Sequence, residues 1–355
     1  MKKLLLILIC FPLISLAQQT HVPDDGFEQA LILQGYDIVL DDSVLTANIN
    51  QLTSLSIWGS TVYDLTGIED FTSLRLLYCM GTQLATLNLS NNQYLDSLYC
   101  DGNQLLTSLL LPNSLKLLKC NQNSLTTLDV SSCTNLHYLE CSFNSLTTLD
   151  VSSNYSLKRL RCDYNQLSSL ILNDTALTYL TCGGNLLATL DLSNSHHLKT
   201  AEMAYGQLNN INLNGADSLV ILTVFNNSLI TLDVSSNSQL SSLKCYNNNL
   251  TVLDLRNGNN SNLNLNLNTV NNPDLTCISV DDTTLANNWI GSSAIDPQHY
   301  FSLDCNVTSI NEITNKNKSL LKIVDVLGRE VLPTSNTPLF YIYDDGTVEK
   351  KIIIE

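Results

Sequence analysis

The chain has 355 residues, with 17 lysines and arginines against 33 aspartates and glutamates, for a net charge of −16. A surface this acidic argues against nucleic acid and anionic membrane as partners. The length suits one large domain, two smaller ones, or a repeating coil that needs no second core.

The first segment, MKKLLLILICFPLISLAQQ, has two lysines, an apolar run too short for a membrane span, and a small-x-small site at Ser15-Leu16-Ala17. It reads as a signal peptide over residues 1–17, with the mature chain starting near Gln18. Cys10 lacks the small residues that would precede a lipidated cysteine. No later stretch is apolar enough to span a bilayer.

Residues 18–51 read as an N-terminal cap. Acidic residues ahead of Phe27, Ala30, Leu31 and Ile32 predict a short amphipathic helix with an N-terminal capping signal.

Residues 52–270 repeat. Cysteine recurs at Cys79, Cys100, Cys120, Cys141, Cys162 and Cys182, then Met203, Val224 and Cys245, in steps of 20 or 21 residues. Three residues after each comes an asparagine, except Thr82 and Gly206, and five after comes leucine in all nine copies. Within one copy the inward set Leu136, Leu139, Cys141, Asn144, Leu146, Leu149 and Val151 is spaced 3, 2, 3, 2, 3, 2. A helix needs gaps of three and four, and a plain strand gaps of two. Mixed gaps at a fixed long period describe a coil that turns corners and leaves each winding for its neighbour to cover.

LHYLECSFNSL and LKRLRCDYNQL carry the pattern LxxLxCxxNxL, which resembles the leucine-rich repeat with cysteine in its third apolar slot, as in internalin-like bacterial proteins. Residues 62–74 resemble the early turns of such proteins. The resemblance implies a β-rich, parallel-strand solenoid with one short strand per turn, centred near Leu139-Glu140-Cys141.

Cysteines in register would stand about 4.8 Å apart and point the same way. That leaves their Cβ atoms too far apart for an unstrained disulfide. Buried free thiols are therefore expected, rather than a metal or disulfide ladder. The asparagines are expected to satisfy backbone groups at the corners. Asn88, Asp129, Asp150, Asp191, Asn212, Asp233 and Asp254 form an outward column, read as solvated surface or, alternatively, as a calcium ladder.

Beyond the repeat, residues 271–305 read as a C-terminal cap, in which Cys277 and Cys305 lie outside the column and are expected to pair. Cys133 sits in a corner loop with no evident partner. Residues 306–319 are polar and aperiodic, a linker. Residues 320–355 alternate apolar and polar residues, with Gly328 and Asp344-Asp345-Gly346 as turn signals, and predict a hairpin or small β-sandwich. VDVLGRE and PLFYIYDDGTVEKK resemble the C-terminal sorting domain of type IX secretion substrates. That resemblance implies export to the outer surface and contact with the secretion machinery.

No nucleophile elbow, HExxH, phosphate loop or paired CxxC occurs, and His196-His197 lies in a corner. The chain reads as non-catalytic and without a cofactor or metal. The slots that vary between copies flank the inward residues of the strand, on the face a solenoid makes concave. They supply Trp58, Tyr78, Tyr99, Lys119, Tyr138, Glu140, Arg159, Arg161, Tyr179, Phe225, Lys244 and Tyr246. Aromatic and arginine residues suit recognition of a protein or surface glycan, with Tyr99, Arg161 and Tyr179 as anchors. The alternative is a surface-layer role through self-association.

Overall fold

The computed structural model describes residues 18–59, 61–173, 176–263, 266–290, 293–305, 320–325, 328–333, 338–344 and 348–352. The expected signal peptide, the linker 306–319 and the Asp345-Gly346 turn lie outside them. The chain divides into two units, Met1–Cys305 and Asn306–Glu355.

In the first unit the chain winds as a parallel-strand solenoid. One strand from each winding joins an eleven-stranded sheet that runs in chain order from Ser54–Ser56 to Leu267–Asn268. Register is strict: Leu118, Leu139, Leu160 and Leu180 pair in succession. The middle leucine of each strand and the following cysteine slot point inward and are buried, from Leu55 and Ile57 to Leu243 and Cys245.

Most windings have a second strand, which corrects the expectation of one. Thr148–Asp150 pairs with Ser169–Ile171, and Thr189–Asp191 with Asn210–Asn212. Four more, from Thr231–Asp233 to Tyr300–Ser302, make a further sheet. LTTLDV already alternates exposed threonine, buried leucine and exposed aspartate, the period of a half-buried strand.

Between the two strands the chain turns a corner around the asparagine column. The Asn165 Nδ2 donates to the Cys141 carbonyl at 3.0 Å and the Cys162 carbonyl at 3.1 Å. Its Oδ1 accepts from the Leu146 N–H at 3.0 Å. One carboxamide thus joins two windings and satisfies backbone groups that the turn removes from any sheet. Asn144, Asn185, Asn227 and Asn248 repeat the arrangement. At Gly206 there is no room for a side chain, since a Cβ would lie 2.7 Å from the Asn227 Oδ1.

The outward Asp/Asn column also has a structural task. Asp129, Asp150, Asp191 and Asp233 each accept the backbone N–H of the serine two residues on, at 2.8 to 3.0 Å. These bonds start the far corner, and the hydroxyls of the same serines together with them hold the Asp129, Asp150 and Asp191 carboxyls below the usual carboxylate range. At that corner Cys133 is buried in a slot that Asn92, Asn154 and Asn237 fill in other windings. Its thiol donates to the Pro112 carbonyl at 3.4 Å.

A helix, Asp25–Leu33, closes the N-terminal end. Asp24 caps it by accepting the Phe27 N–H, and Phe27 and Leu31 are buried, with Phe27 against Phe71. Glu28 is fully buried because its carboxylate accepts three N–H groups, from Asp41, Asp42 and Ser43. At the other end the boundary drawn at residue 270 falls inside a winding. Asn272 still donates to the Cys245 carbonyl and accepts from the Leu250 N–H, and Cys277–Ser279 and Tyr300–Ser302 still pair in parallel. Cys277 and Cys305 are joined by a disulfide.

The second unit contains one antiparallel sheet among its described residues. Pro338–Tyr343 lies between Leu320–Val324 and Val348–Ile352, with Val324 and Leu339 turned inward.

Candidate functional site

The eleven-stranded sheet presents three columns to solvent: the first and third residue of each strand, and the residue after the cysteine slot. Strand register sets neighbours within a column about 4.8 Å apart, so residues one repeat apart in sequence become side-chain partners.

The columns bring most of the expected residues together. Tyr78 and Tyr99 stack at 4.6 Å, and the Lys119 ammonium lies over the Tyr99 ring at 5.9 Å. Arg159 lies over Tyr179 at 4.2 Å. Phe225 and Tyr246 stack at 4.3 Å. Trp58 stands at the N-terminal end, 70% exposed. Tyr138 and Lys244 are exposed, and Arg161 is half-buried.

Glu140 differs from the solvent-facing reading. It is only 9% exposed and sits between two cations, with Lys119 Nζ at 3.2 Å and Arg159 Nε at 3.5 Å. Its charge is engaged within the sheet, and it orders Lys119 and Arg159 rather than offering itself to a partner.

Sequence reasoning missed a fourth column, two residues after the cysteine slot. Every member has a positive φ: Gly59, Gly81, Gly102, Gln122, Phe143, Tyr164, Gly184, Tyr205, Asn226, Asn247 and Asn271. Glycine and asparagine adopt this conformation at little cost, and their presence in seven of the eleven slots is the available signal. Phe143, Tyr164 and Tyr205 adopt it at φ 57°, 51° and 60°, with about half of each side chain exposed. Such strain costs about 1 kcal/mol or more for a bulky residue. Changing Tyr205 to asparagine should therefore leave the thermal midpoint unchanged or raise it by a few degrees. A fall of more than about 4 °C in thermal unfolding would show that the ring is a stability element.

The thiol column is closed to solvent. Cys100 donates to the Lys119 carbonyl at 3.5 Å, and Cys162 to the Thr181 carbonyl at 3.5 Å, each on the next winding. Burial pushes Cys79 and Cys245 up to about 12 and raises the others in the column. Reactive thiolates are thus disfavoured. Among the described residues, no three His, Cys, Asp or Glu side chains are placed to hold a metal. No described helix is long and apolar enough to cross a membrane.

In-register strands, inward leucines, and asparagines closing most corners define a leucine-rich-repeat solenoid. A leucine-rich-repeat protein of Leptospira interrogans superposes with a TM-score of 0.54 at 19% identity, over 67% of this chain and 68% of that one. An internalin of Listeria monocytogenes, InlF, does so with a TM-score of 0.50 at 19% identity, over 79% and 91%. In sequence, 70 residues are 35% identical to Internalin J of Listeria monocytogenes, covering 20% of this chain and 8% of that protein. No protein-family model matches.

Proposed function

We propose that this chain is an exported, internalin-like protein that binds a protein or surface glycan through the concave strand face and catalyses no reaction. The observation that carries this reading is the distribution of side chains on the long sheet. Its exposed columns gather stacked aromatics and arginines, the residue types that anchor interfaces. The outward column of the second strand is instead occupied by aspartates engaged with their own backbone. Leucine-rich-repeat solenoids serve as protein-binding modules, and the stretch similar to Internalin J supports a surface-associated role.

For the route outward, the signal-peptide pattern at residues 1–17 supports export. The sorting-domain resemblance of residues 320–355 supports delivery by type IX secretion and contact with that machinery. The antiparallel sheet found there is compatible with such a tail.

The test is a partner captured from surface material and identified by mass spectrometry. Replacing Tyr99, Arg161 and Tyr179 together by alanine should weaken its binding about 100-fold or more. Unchanged binding would end the concave-face assignment.

A further inference from the structure

A cavity of about 310 Å³ opens on the long-sheet face and includes Asp163, Tyr164, Gly183, Glu202, Tyr205 and Phe225 in its lining. Its floor is backbone. The slot after the cysteine holds Asp163, then Gly183 and Ala204, then Phe225, so two windings in succession lack a large side chain. Gly183 is required there, because a Cβ would lie 2.5 Å from the Ala204 carbonyl oxygen. Gly184, in the left-handed column, leaves space for the Tyr164 ring, which would lie 2.6 Å from a Cβ at that position. Tyr164 bounds one side of the notch. Tyr205 and Phe225, edge to face at 5.1 Å, bound the other.

The charges in the notch are two carboxylates against one ammonium, that of Lys244. Asp163 is already engaged, accepting from the Thr181 hydroxyl and, at 3.0 Å, from the Gly183 N–H. Glu202 is half-buried; its backbone carbonyl accepts the Cys182 N–H, and its carboxylate has neither an ion-pair nor a hydrogen-bond partner among the described residues. Glu140, in the same column three windings earlier, has two cations beside it. A half-buried carboxylate among aromatic faces is complementary to a flat organic cation. The cation gains from the rings and from a charge-assisted hydrogen bond, and the net charge of −16 favours its approach.

We propose that this notch is the specificity pocket of the concave face and takes an arginine side chain of a protein partner, its guanidinium against Tyr164 and Tyr205 and paired with Glu202. The inference rests on the reading of that face as a protein-binding surface, and it narrows the partner to one presenting an exposed basic residue.

The test uses the full chain and a labelled Gly-Arg-Gly peptide, read by fluorescence anisotropy. Comparators are the same peptide with citrulline and a neutral linear tetrasaccharide. The arginine peptide should bind, and citrulline should bind about ten-fold more weakly. Glu202→Gln and Tyr205→Asn should each lose a similar factor with unchanged thermal midpoints, and added salt should weaken the arginine peptide alone. Equal binding of citrulline, preference for the saccharide, no effect of Glu202→Gln, or no binding of the arginine peptide at millimolar concentration would each overturn the proposal. If any of these occurs while the Tyr99, Arg161 and Tyr179 triple variant still loses its captured partner, the notch falls and the concave-face reading stands.

Discussion

Replacing Asn165 by leucine will destabilise the solenoid by about 2 kcal/mol or more. The carboxamide donates to the Cys141 and Cys162 carbonyls and accepts from the Leu146 N–H, all at a buried corner. Leucine strands the Leu146 N–H, at about 1 to 3 kcal/mol for a buried unpaired group, and removes one of two donors from each of the Cys141 and Cys162 carbonyls, which keep those of Asn144 and Asn185. In a solenoid every winding is stabilised by its neighbours, so the loss falls first on the windings of Cys141 and Cys162. Hydrogen exchange should show those strands opening ahead of the Ser54–Ser56 end. A denaturant midpoint within half a kilocalorie of the parent would refute the structural role of the column.

Alkaline pH will unfold the protein steeply from about pH 9 upward. The cause is the thiol column. Burial raises Cys79 and Cys245 from an ordinary value of 9.0 to about 12, and pushes Cys100, Cys120, Cys141, Cys162 and Cys182 up as well. Between the unfolded and folded values the folded chain keeps protons that the unfolded chain releases. Stability is therefore complete below pH 9 and falls as pH rises. Each thiol contributes about 1.4 kcal/mol per pH unit, so the seven in the column together reach about 10 kcal/mol per unit. Thermal midpoints measured from pH 7 to 11 should drop sharply above 9. Valine at Cys141 and Cys162 should make the drop shallower, and an identical profile in that variant would remove the thiols from the explanation.

Much of this architecture was legible in the sequence because a solenoid writes its geometry as a period. Aligning Cys141, Cys162 and Cys182 places equivalent residues side by side, and the structure keeps that register. Three features escaped for physical reasons. The second strands are only three residues long, and the resemblance to known repeats directed attention to a single strand. The capping task of the exposed aspartate column is hidden because the bond from the Ser152 N–H to Asp150 is local, and apolar spacing does not reveal it. Tyr164 and Tyr205 were overlooked because a left-handed slot announces itself by glycine or asparagine, and these two aromatics break that rule. The Lys119–Glu140 pairing could have been read, since the two residues occupy one column in successive windings.

Accessibility of the thiols in the native molecule tests the whole arrangement most directly. Iodoacetamide applied to the undenatured protein at neutral pH, followed by peptide mass mapping, should leave Cys120, Cys141 and Cys162 unmodified, and denaturation should make all three react completely. Rapid native alkylation of those residues would place the cysteine column on the surface, and neither the interior nor the binding face would be where this account puts it.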